Sequence, residues 1–136
     1  MKKQGPLFWE NISIEGLEQL TTELKSVFQT PSLIILEGPL GAGKTTLVKC
    51  FTKEAISPTY NILYETEDIL HGDFYRLKDS AEITHLELDL YLPEKKYVFI
   101  EWAKEHLEAI QRELPDDFSS YLLEIALNPN DESKRD

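Results

Sequence analysis

The stretch GPLGAGKTT, residues 38–46, sets three of the chain's six glycines directly before Lys44, Thr45 and Thr46. From Gly38 to Thr45 the spacing fits the phosphate-binding loop pattern GxxxxGK[ST] without exception. Each residue type has a physical task there. Glycines let successive backbone N–H groups turn inward as a concave nest for phosphate oxygens, a turn that side chains would obstruct. Lys44 would place a point charge on the β- and γ-phosphates, and Thr45 would offer its hydroxyl to Mg²⁺. The context agrees with the pattern. The apolar run LIIL (Leu33 to Leu36) reads as a buried strand before the loop, and TTLVKCFTKEA after it carries Leu47, Val48 and Phe51 at helical spacing. Gly38, Gly41, Ala42, Gly43, Lys44, Thr45 and Thr46 are therefore the expected nucleotide-binding residues.

At 136 residues the chain is expected to be a single domain around one core, covering 1–136, with a frayed polar tail from about residue 128. Its apolar runs are strand-sized, too short to span a membrane. Met1-Lys2-Lys3 is basic but no apolar segment follows it, so a cytoplasmic location is expected. Cys50 has no second cysteine to pair with, and His71, His85 and His106 stand far apart with no ligand spacing. The formal charge of −11, from 14 Lys and Arg against 25 Asp and Glu, argues against direct, tight binding to RNA or DNA. It suits a protein partner or a metal–nucleotide ligand.

Along the chain, NISIEGLEQLTTELKSVFQ carries an apolar stripe at Leu17, Leu20, Leu24, Val27 and Phe28, with Ser13 as N-cap, and predicts an amphipathic helix. LFWEN predicts a short edge strand. Pro58 breaks the helical pattern at Ser57 to Thr59, so a loop is expected there. YNILYE, ILHGDFYRL, YVFIEW and YLLEIAL predict strands, while SAEITHLELDLYL, capped by Asp79 or Ser80, and AKEHLEAIQREL predict helices. From the sequence His71 reads as a strand residue satisfied by backbone. Strands separated by helices of this length predict an α/β, three-layer fold of the P-loop NTPase type with a mainly parallel central sheet.

A phosphate loop alone binds; hydrolysis also needs an acid to hold Mg²⁺ and a group to position water. Glu101 and Asp73 both end apolar strands, and the carboxyl ends of parallel strands face the ligand crevice. Thr59 is a third candidate, a loop hydroxyl able to reach the γ-phosphate or its metal.

GPLGAGKTT, SPTYNILYE, HGDFYRL and FIEW, in this order, resemble the bacterial ATPase family TsaE, which assists threonylcarbamoyladenosine modification of tRNA. That resemblance implies ATP in the loop, Mg²⁺ on Thr45 and Glu101, a need for Asp73 in hydrolysis, and a switch-like Ser57–Thr59 segment. It also implies partners. The modifying chemistry would belong to the TsaB–TsaD pair, acting at adenosine 37 of the tRNA, and this chain would dock on that pair in its ATP-bound form and meet tRNA only through it. Pro39 stands where the family loop usually has aspartate.

Three other readings compete. IALNPND places Asn128 and Asp131 at the spacing of the guanine-reading NKxD motif, but Pro129 takes the lysine's place and no DxxG segment is present. A small-molecule kinase would need arginines to clamp the phosphoryl group, and the chain has only Arg76, Arg112 and Arg135. A non-catalytic module that binds ATP to fix its shape for a partner is the third.

Overall fold

The computed structural model describes residues 12–39, 43–52, 57–58, 63–75, 77, 79, 81–84, 86–128 and 131–135. The run LIIL lies at the heart of strand β1 (Ser32–Glu37). Leu33 and Ile35 enter one apolar cluster and Ile34 and Leu36 another, so the strand is buried on both faces. That is why its sequence lacks the polar alternation of a half-exposed strand.

Strand β5 (Tyr97–Glu101) pairs parallel with one edge of β1, and β6 (Ser119–Glu124) pairs parallel with the other. Beyond β5 lies β4 (Ile69–Asp73), also parallel, followed by antiparallel β3 (Leu63–Glu65) and the two-residue β2 (Ser57–Pro58). The order is β2-β3-β4-β5-β1-β6, the mainly parallel sheet that the strand and helix spacing predicts, with an antiparallel margin on one side. A tight turn joins β3 to β4. There the Thr66 hydroxyl accepts the Ile69 N–H at 3.1 Å and the Thr66 N–H bonds the Ile69 carbonyl at 2.8 Å.

Two helices cover one face of the sheet. Helix α1 (Leu17–Val27) contributes Leu24, and α2 (Lys44–Lys49) contributes Leu47 and Val48, to a cluster shared with Ile34, Leu36, Ile69, Tyr97 and Phe99. On the opposite face, α3 (Ala81–Thr84) and α4 (Leu107–Glu113) bury Ile83 and Ile110 against Leu33, Ile35, Leu70, Val98 and Ile100. The result is three layers. Ser13 and Asp79 act at the starts of their segments, although the residue that caps α1 itself is Gly16, without a side-chain bond. Ser13 accepts the Gly16 N–H on its hydroxyl at 3.3 Å and opens a 3-10 turn, Ile14–Gly16, that leads into α1. Asp79 accepts the Ala81 N–H at 2.9 Å while Glu82 reaches back to the Asp79 N–H at 3.4 Å, a reciprocal cap on α3.

Four expectations need correction. Ser57 and Pro58, expected in a loop, pair with Glu65 and Tyr64 as strand β2. The helix after the glycine-rich loop ends at Lys49, where the Cys50 N–H bonds Leu47 and Val48 carbonyls, rather than running on through Phe51. SAEITHLELDLYL forms α3 and a separate 3-10 turn, Leu88–Leu90, divided at Glu87, whose φ of 55° is left-handed and cannot continue a helix. The tail expected to fray contains an antiparallel pair, β7 (Leu127–Asn128) with β8 (Asp131–Arg135). Asn128 and Asp131 are register partners in this pair, which accounts for their spacing without a guanine-reading role. The edge strand expected at LFWEN lies outside the described residues.

Candidate functional site

The carboxyl ends of β1, β4 and β5 lie together, because the three strands run parallel and β5 stands between the other two. The glycine-rich loop leaves β1 at this end. Asp73 and Glu101 are register partners on β4 and β5, so the two strand-end acids predicted from sequence sit side by side.

Side-chain alternation decides which face they use. Tyr97 and Phe99 point to the face covered by α1 and α2, and Glu101 continues that parity. Ile69 points the same way on β4, and His71 and Asp73 follow it. Helix α2 begins on this face at Lys44, directly after Gly43, whose φ of 100° is the left-handed turn that brings the chain round. Thr45 therefore arrives beside Glu101, with its hydroxyl oxygen 3.4 Å from Glu101 Oε2.

Lys44 is buried, 5% exposed as a residue. Its ammonium donates to the Gly38 carbonyl at 2.7 Å, across the loop, and lies 4.0 Å from the centre of the Trp102 ring. The indole face offers its negative quadrupole to the cation. Trp102 itself has a φ of 58°, a strained value for a bulky residue, and its ring meets the exposed Tyr75 edge-on at 5.0 Å. Asp73 turns its Oδ1 onto the Tyr75 N–H at 3.1 Å, and the Phe74 N–H bonds the Glu101 carbonyl at 3.0 Å. These contacts tie the segment after β4 to the end of β5.

One member of the site is missed by sequence reasoning. His71 is 5% exposed, and its Nε2 lies 2.5 Å from Glu101 Oε2 rather than on backbone. Its position in a strand ending with a candidate acid was the available signal; the partner, 30 residues on, was not visible.

A hydroxyl and a carboxylate side by side are hard oxygen donors of the kind Mg²⁺ takes, usually with substrate phosphates and water completing its shell. Among the described residues no group of three His, Cys, Asp or Glu side chains forms a metal cage. Thr46 is exposed at the start of α2. Gly41, Ala42 and Thr59 lie outside the described residues. Among the described residues no helix is long and apolar enough to cross a membrane.

Comparison with known proteins places this geometry. The family model described as threonylcarbamoyl adenosine biosynthesis protein TsaE matches residues 12–136. A tRNA threonylcarbamoyladenosine biosynthesis protein TsaE of Bacillus subtilis is 35% identical over 122 residues, spanning 82% of this chain and 73% of that protein. Its counterpart in Rickettsia felis is also 35% identical, over 132 residues, spanning 89% and 72%. The crystal structure of YdiB from Bacillus subtilis superposes with a TM-score of 0.51 at 27% identity, covering 93% of this chain and 79% of that one. With a family model spanning all but its first eleven residues, a buried lysine in the glycine-rich loop and two strand-end acids in register, the chain belongs to the TsaE family.

Proposed function

We propose that this protein is a Mg²⁺-dependent ATPase that assists the TsaB–TsaD pair in threonylcarbamoyladenosine modification at position 37 of tRNA. The observation that carries the reading is the meeting of Thr45 Oγ1 and Glu101 Oε2 at 3.4 Å, one residue past a lysine that already turns toward the loop. Gly38, Gly41, Ala42 and Gly43 would present backbone N–H groups to the phosphates. Lys44 would exchange the Gly38 carbonyl for phosphate oxygens, which are charged acceptors and hold a cation more strongly. Thr46 would extend the phosphate contacts, and Thr45 and Glu101 would hold Mg²⁺, which supplies charge neutralisation when bound.

Asp73, one strand over and accepting the Tyr75 N–H on Oδ1, would orient water. Thr59, the next residue in sequence after Ser57–Pro58, would respond to the γ-phosphate. The chain's charge of −11 fits work in the cytoplasm against a protein partner, with tRNA reached only through the complex.

The test is Mg²⁺-dependent ATP hydrolysis by the pure protein, alone and with TsaB–TsaD, with GTP as control. Stimulation by the pair that disappears in Lys44→Ala is expected. Loss of one charge-assisted contact, about 1.5–3 kcal/mol, weakens nucleotide affinity roughly 10- to 150-fold. Equal turnover in that variant would sink the phosphate-loop assignment. ATP binding without turnover, even with the pair present, would leave a nucleotide-dependent interaction module instead.

A further inference from the structure

We infer that His71 is a positioning residue for the Mg²⁺ side of the site: its imidazole holds the Glu101 carboxylate in the orientation that faces Thr45. The inference rests on the ATPase reading above and assigns a role to a residue that the reading does not use. Two strands set up the contact. Register pairs His71 with Phe99 and Asp73 with Glu101, so Glu101 is the diagonal neighbour of His71 on the face covered by α2. An imidazole spans that diagonal, and the side chains of His71 and Glu101 are 6% and 7% exposed. Water therefore has little access to the carboxylate, and its orientation is set by protein donors.

Two side-chain donors meet on the same oxygen. Nε2 of His71 lies 2.5 Å from Oε2 of Glu101, and Oγ1 of Thr45 lies 3.4 Å from it. Thr45 is itself a candidate ligand, and its hydroxyl would be engaged by an ion when one is bound. His71 has no such second duty, so its hydrogen bond holds the carboxylate whichever way Thr45 faces. Carboxylates that bind metals are commonly held in this way by a hydrogen-bonding neighbour, and loss of that neighbour typically costs about 10- to 100-fold in metal affinity. The competing reading is a core histidine that fills space and satisfies itself on the nearest acceptor.

Reach separates the two readings. In His71→Gln the amide nitrogen falls near the position of Nε2, whereas in His71→Asn it stops near that of Nδ1. His71→Leu fills space and donates nothing. The measurement is the affinity of a non-hydrolysable ATP analogue, by calorimetry, in Mg²⁺ and in EDTA; the ratio of the two is the gain due to the ion. The Gln variant is expected to keep the wild-type gain within about 3-fold, and the Asn and Leu variants to lose about 10- to 100-fold of it, with affinity in EDTA unchanged throughout. Equal behaviour of Gln and Asn, or a full gain in Leu, overturns the inference. So does a loss that appears equally in EDTA, which marks a packing role. Should the Leu variant fail to fold, the Gln and Asn pair decides alone. A wild-type protein with no Mg²⁺ gain overturns the ATPase reading and this inference with it, whereas a wild-type gain that survives in Leu overturns only the inference.

Discussion

Gly43→Ala is a perturbation whose size can be worked out from the backbone alone. Gly43 has φ 100° and ψ 20°, and a Cβ added there meets nothing within 4 Å. The substitution therefore introduces no clash, only the intrinsic cost of holding an L-residue in a left-handed conformation, about 1–3 kcal/mol. Alanine also restricts the unfolded chain, which returns about 0.4–1 kcal/mol. The net penalty is roughly 0.5–2.5 kcal/mol.

That penalty has two places to appear. If the loop keeps its shape, the whole protein loses stability, and at about 3–5 °C per kcal/mol for a domain of this size Tm falls by about 2–12 °C. If the loop relaxes, Tm is preserved but the N–H groups lose their common direction, and Mg²⁺–nucleotide affinity falls about 2- to 70-fold. Thermal unfolding followed by circular dichroism and calorimetry with a non-hydrolysable ATP analogue together read both outcomes. A variant with unchanged Tm and unchanged affinity would refute the reasoning, because a strained residue would then cost nothing anywhere.

Glu101→Gln is expected to leave nucleotide binding in EDTA unchanged while Mg²⁺-dependent turnover falls on the order of 100-fold, and unchanged hydrolysis would move the metal role to Asp73. Phe99→Ala tests the core beneath the site. The ring is fully buried in the central strand β5, edge-on to Phe51 at 4.9 Å, so its loss costs about 3–5 kcal/mol and lowers Tm by about 10–20 °C, and a drop under about 5 °C would contradict the packing described.

The parts of this protein that were legible in the sequence are those in which neighbouring residues carry the whole signal. LIIL, the glycine-rich loop and the opening of α2 lie within eighteen residues of one another, and each has a composition that local physics dictates. Glu101 and Asp73 were legible as acids that end apolar runs. Their side-by-side placement was not, since register between β4 and β5 is a long-range pairing. His71 shows the same limit more sharply. Alternation says that it shares a face with Ile69 and Asp73, but nothing in residues 69–73 says that an acid on another strand waits there. The resting partner of Lys44 on Trp102 was likewise hidden, because it depends on a positive φ in a residue that seldom adopts one. The β7–β8 pair failed for a different reason. Its polar residues suggest fraying, and the pairing of Asn128 with Asp131 shows that a polar composition does not by itself exclude a strand pair.

The rung that joins Asp73 to Glu101 makes the sheet a ruler for the acids. Twenty-three residues, 74–96, separate the end of β4 at Asp73 from the start of β5 at Tyr97, yet none of them sets the lateral separation of Asp73 and Glu101; adjacent strands do, at about 4.8 Å. Loops between β4 and β5 are thus free to lengthen, shorten or change sequence without detuning that end of the site. A slip of β5 by a single residue is not tolerated in the same way. It would put Ile100 or Trp102 on the rung and turn the Glu101 carboxylate to the opposite face, away from Thr45.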